Sequence, residues 1–152
     1  MKYSFDIWKT NRSIYLKYLT EYSLAQLNQV PEGFSNNLIW NIGHVIVVQQ
    51  RLVYGLSDLS MHVSDTLFQK YKPGTKPEAN EPQETVALFK ELLMSSIDQT
   101  ISDFKLGKFE RYNELTTSKG FHLANASEAI NYNNYHEGMH LGTMIGLVKF
   151  LK

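Results

Sequence analysis

Apolar residues recur at helical spacing over four long stretches of this chain, and no pair of stretches alternates as paired strands do. That periodicity constrains the fold more than any other feature. The first stretch runs from about Phe5 to Tyr22, carried by Ile7, Trp8, Ile14, Tyr15, Tyr18 and Leu19, with Ser4 as a cap. The second spans about Asn37 to Leu56 and is rich in Ile and Val. Its length and the polar Gln49-Gln50-Arg51 favour helix over strand. The third runs from about Pro82 to Phe104, with Glu81, Pro82 and Glu84 suited to a helix N-terminus. The fourth runs from about Ser127 to Leu151, capped by Ser127 or Asn125. Between them, Ser57 to Asn80 and Leu106 to Leu123 read as two long irregular loops. The expected fold is all-α: a four-helix bundle in one domain over 1–152.

The chemistry concentrates in the fourth helix, at Asn133-Asn134-Tyr135-His136-Glu137-Gly138-Met139-His140. His136 and His140 are four residues apart, so they stand on the same helix face and can grip one divalent ion. An open catalytic metal site usually has three protein ligands. The best third candidate is His44, on the second helix beside its apolar stripe. His62 and His122 fall in the loops and are weaker candidates. A hydrogen-bonded core histidine is the bland alternative for each.

Other readings of the same residues fare worse. His136-Glu137-Gly138-Met139-His140 is literally the zinc-protease signature, but residues 141–152 hold no His, Asp or Glu to complete it. Glu137-x-x-His140 matches half of a di-iron motif. No second copy exists, because Asn41, Leu59 and Lys119 precede His44, His62 and His122 by three. A G-x-S-x-G nucleophile elbow is also missing. Gly138, Gly142 and Gly146, spaced by four, suggest close approach of another helix, and Gly43 hints at the second helix as partner. The alternative is packing alone, at a dimer interface.

Composition narrows the partners. Lys+Arg and Asp+Glu both number 15, so no basic footprint points to nucleic acid or an anionic membrane. Cysteine is absent, which removes thiolate ligands and disulfides. No run reaches the roughly 18 apolar residues of a membrane span. The N-terminus does not read as a signal peptide, so a cytoplasmic protein is expected.

Taken together, Trp40-Asn41-Ile42-Gly43-His44 and His136-Glu137-Gly138-Met139-His140-Leu141-Gly142 resemble the DinB-like superfamily, and the likeness covers nearly the whole chain. The resemblance implies an up-down-down-up four-helix bundle, often homodimeric. It implies one divalent metal ion, usually zinc or nickel, held by His44, His136 and His140. It also implies an activity akin to bacillithiol and mycothiol transferases, with a low-molecular-weight thiol attacking a small electrophile. A metal-dependent hydrolase and a non-enzymatic, metal-stabilised stress-response or binding protein are the alternatives. No organic cofactor is expected.

Around the metal, Glu137 is the nearest carboxylate in sequence, although it points about 100° from His136 around the helix. Its open roles are orienting a ligand histidine, acting as a base, or simple solvation, which is the default. Trp40 could wall the pocket, Arg51 could meet an anionic substrate, and Asn133 and Tyr132 could face the pocket from one turn before His136.

Overall fold

The computed structural model describes residues 1–152. It is mostly helical, as the periodicity predicts. Helix α1 spans Lys2–Glu21, α2 Leu24–Asn28, α3 Leu38–Val53, α4 Asp65–Tyr71, α5 Gln83–Lys105 and α6 Ala126–Leu147. Two-residue strands β1 (Leu115–Thr116) and β2 (His122–Leu123) pair antiparallel, with Leu115 opposite Leu123 and Thr116 opposite His122. No helix is long and apolar enough to cross a membrane.

The four long helices form the bundle, and side-chain contacts fix their directions. Lys9 pairs with Asp98 at 3.0 Å and Phe5 packs on Phe104, so α1 and α5 are antiparallel. Ser4 reaches Asn131 and Tyr15 reaches Glu137, so α1 and α6 are parallel. Asn41 meets His140 while His44 meets His136, so α3 and α6 are antiparallel. The order is therefore up-down-down-up.

Helix α3 is the centre. Every one of its residues except Arg51 is buried. A helix apolar on nearly all sides belongs inside a bundle, which explains its density of Ile and Val. Burying each such side chain contributes roughly 1.5–3 kcal/mol. The Asn37 side chain starts α3 by accepting from the Trp40 N–H at 2.9 Å. Asn125 caps α6 in the same way through Glu128.

Three expectations need correction. Ser4 is not a cap: α1 begins at Lys2, and the Ser4 hydroxyl donates to Asn131 Oδ1. The segment from Ser57 to Asn80 is not wholly irregular, because Ser64 caps α4 within it. Nor do Gly138, Gly142 and Gly146 receive a neighbouring helix; a Cβ at any of them would meet nothing within 4 Å. Gly43 is different. A Cβ there would lie 2.6 Å from Tyr71 Cδ1 and 2.8 Å from Phe89 Cζ, so it is α4 and α5 that crowd it, not α6.

Candidate metal centre

Helices α3 and α6 make the most extensive contact in the bundle, and all three candidate ligands lie on it. Ring centroids are 5.3 Å apart for His44–His136, 4.7 Å for His44–His140 and 4.6 Å for His136–His140. One ligand nitrogen from each lies within 4.8 Å of the others, a spacing at which all three can share one ion. His44 and His136 are buried and His140 is half-buried.

Two of the imidazoles are held by their other nitrogen. His44 Nδ1 lies 2.7 Å from the Tyr71 carbonyl, which can only accept, so Nδ1 carries the proton. Nε2 of His44 is then the free lone pair. His140 Nδ1 lies 2.8 Å from Asn41 Oδ1. The Asn41 amide is fixed because its Nδ2 donates to the Asn37 carbonyl at 2.7 Å and to Asn36 Oδ1 at 2.9 Å. Its oxygen therefore faces His140, whose Nδ1 donates and whose Nε2 is free. This is the outer-shell arrangement that metal-ligating histidines ordinarily have. His136 Nδ1 is buried with no hydrogen-bond partner.

The electrostatics suit a cation. Burial pushes His136 down to about 2, helped by His140, His44 and Arg12. Burial, with His44, pushes His140 down to about 4. His44 is lowered by burial despite its bond to the Tyr71 carbonyl. All three are neutral at pH 7, the form that binds metal. The donor set fits a borderline divalent ion such as zinc or nickel.

A cavity of about 440 Å³ opens over the three rings, lined among others by Arg51, Thr116, Lys119, Tyr132 and Met139. Arg51 and Tyr132 thus lie at the wall of the cavity that holds the three rings. Trp40 is not in this cavity. It stacks on the outer face of His44, with centroids 4.7 Å apart and planes 15° from parallel, and its Nε1 donates to Thr75 Oγ1. Asn133 is fully buried and turned away, donating to Glu137 Oε1 at 2.9 Å. His62 approaches Asp103 at 3.9 Å and His122 approaches Glu114 at 3.4 Å, so neither supplies a fourth ligand.

Glu137 is neither solvated nor in the cavity. It is fully buried between α6 and α1, where its carboxylate pairs with Arg12 at 2.8 Å and accepts from Trp8 Nε1 at 2.8 Å. The carboxylate is occupied by donors and does not reach the histidines as a base or an orienting group. The side of α6 that carries Glu137 faces α1 rather than water.

Asn41, Tyr71 and Arg12 escaped the sequence reading. Arg12 had a signal: it stands one turn after Trp8 and one before Tyr15, a lone cation in an apolar stripe. Tyr71 acts through its carbonyl, which leaves no side-chain signal. Crowding makes Gly43 a sensor of this shell. Gly43→Ala should cost about 1–3 kcal/mol through overpacking against Tyr71 and Phe89. It should also weaken metal binding by moving the carbonyl that holds His44, measurable by urea unfolding and zinc titration.

No curated protein matches the chain. The family model of the DinB superfamily matches residues 7–144, a span containing all three histidines, the whole of α3 and all but the last three residues of α6. The match covers far more than half of the sequence, and the chain belongs to the DinB superfamily.

Proposed function

We propose that His44, His136 and His140 hold one zinc or nickel ion, and that the protein is a metal-dependent transferase joining a low-molecular-weight thiol to a small electrophile. The observation that carries this reading is the convergence of three neutral imidazoles beneath an open cavity with no fourth protein ligand. A closed structural site would use that position. A divalent ion there supplies Lewis acidity that acidifies a thiol or a water.

The chain's own residues do the rest. Tyr71 and Asn41 fix two rings in the tautomer that presents Nε2. Arg51 and Lys119 line the cavity, and its remaining lining is apolar, hydroxylic or imidazole. Such a wall attracts an anionic reactant and carries no carboxylate base, which favours thiol transfer over hydrolysis. In the transfer, the thiol loses its proton to solvent and its sulfur pair attacks the electrophilic carbon. The S–C bond forms as the leaving group departs with its electrons.

The protein acts as a cytoplasmic homodimer in this reading. Tyr135, Met139 and Ile145 lie exposed along one face of α6 with Gly138 and Gly142, which would let a second copy approach closely. Ile145→Glu should convert such a dimer to monomer in sedimentation.

The deciding experiment is metal content of protein purified without a metal-affinity tag, beside His44→Ala, His136→Ala and His140→Ala. About one equivalent in the wild type, lost in all three, is expected. Thiol consumption with an electrophile such as a chlorinated arene should disappear with the metal. A wild type that stays metal-free after reconstitution with zinc or nickel overturns the reading.

A further inference from the structure

Helix α1 supplies none of the three histidines, yet its Arg12 joins the two helices that do. Arg12 is fully buried. Its Nε donates to Glu137 Oε1 at 3.0 Å and Oε2 at 3.1 Å, and its Nη2 donates to Glu137 Oε1 at 2.8 Å. The same Nη2 lies 3.3 Å from the Val45 carbonyl. Glu137 directly follows His136 on α6, and Val45 directly follows His44 on α3. One guanidinium therefore bridges the residues adjacent to two of the three candidate ligands. Trp8 and Tyr15 reinforce the same point, donating to the Glu137 carboxylate and to its carbonyl.

A buried ion pair is a poor device for stability alone, since well-packed apolar side chains of similar volume do as well or better. What it adds is direction. A forked donor engaging a carboxylate on one helix and a carbonyl on another fixes how those helices slide and rotate against each other. We propose that Arg12 and Glu137 are positioning residues for the metal centre: they set the register of α3 against α6 and so pre-organise the three imidazoles on one ion. This inference rests on the three-histidine reading. It assigns a role to α1, and it gives the glutamate of the His-Glu-x-x-His sequence a mechanical role in place of a chemical one.

The test separates metal affinity from folding. Zinc dissociation constants are measured by chelator competition, and cobalt(II) ligand-field spectra report coordination geometry. Urea unfolding of the metal-free proteins runs alongside. Arg12→Met/Glu137→Met replaces the pair with apolar side chains of similar length. It should still fold, at a lower urea midpoint than the wild type because Trp8 Nε1 and Asn133 Nδ2 lose their acceptor, and bind zinc about 10–100-fold more weakly, with an altered cobalt spectrum. Arg12→Lys keeps the charge on Glu137 but has no fork to reach Val45, and it too should lose zinc affinity. It provides the decision if the double variant fails to fold. Wild-type zinc affinity and cobalt spectrum in a folded double variant, or in Arg12→Lys, overturn the positioning role while leaving the metal centre standing. A wild type that takes up neither metal at these histidines overturns both.

Discussion

Glu137→Leu alone is expected to destabilise the protein by about 3–5 kcal/mol, among the largest effects of any single substitution in the chain. The cost comes less from the lost attraction than from what stays behind. Arg12 keeps its charge in a position with no exposure, and Nη1 of its guanidinium already lacks a partner there. Trp8 Nε1 and Asn133 Nδ2 also lose their acceptor, and each unsatisfied buried donor costs about 1–3 kcal/mol. Domains of this kind are stable by only about 5–15 kcal/mol, so the variant should unfold at a much lower urea concentration. The paired Arg12→Met/Glu137→Met variant removes both charges and should recover the part of the loss that comes from the stranded guanidinium, while Trp8 and Asn133 stay without an acceptor. Circular dichroism during urea unfolding of the two variants measures the difference. A loss below about 1 kcal/mol in Glu137→Leu would mean that water reaches the guanidinium, contrary to its burial here.

The contrast between Glu137 and the histidines shows what was legible in the sequence. Four long helices followed from period alone, because stretches such as Val86, Phe89, Leu93 and Ile97 complete several turns on one buried face. The short helices did not. Leu24–Asn28 and Asp65–Tyr71 are too short for a period, and their caps were the available signals: Ser23 with Gln26, and Ser64. The pairing of His136 with His140 is local helix geometry, and His44 stood out as a histidine within an apolar helix. The surroundings of Glu137 were another matter. Helical phase gives the direction of a side chain, but whether that direction meets water or helix α1 depends on how the bundle closes. The glycines of α6 failed for the same reason, since spacing by four describes a smooth face without saying whether anything lies on it.

Metal-free protein should lose stability steeply as pH falls from 6.5 toward 4. His136 and His140 are held neutral in the folded state, at about 2 and about 4, whereas in the unfolded chain each returns to 6.5. Between those values the unfolded state binds protons that the folded state refuses. Their contribution is therefore intact above pH 6.5 and is lost as the solution becomes more acidic. Each histidine costs about 1.4 kcal/mol per pH unit in that window, so the pair removes roughly 3–4 kcal/mol between pH 6.5 and 5. His44 is lowered too and adds in the same direction. Asp103 does not confuse the result. Its burial is outweighed by hydrogen bonds from Lys108, Gln99 and Tyr54, which hold it below 3.8, so its contribution is lost only at lower pH. Urea unfolding at several pH values in the presence of a chelator measures the slope. His140→Gln, with no titrating group, should reduce it by about 1.4 kcal/mol per pH unit. Saturating zinc should restore stability at pH 5 by binding the folded state alone. A flat chelated profile between pH 6.5 and 5 would mean that the imidazoles accept protons in place, and the centre would not be the desolvated cluster that these contacts describe.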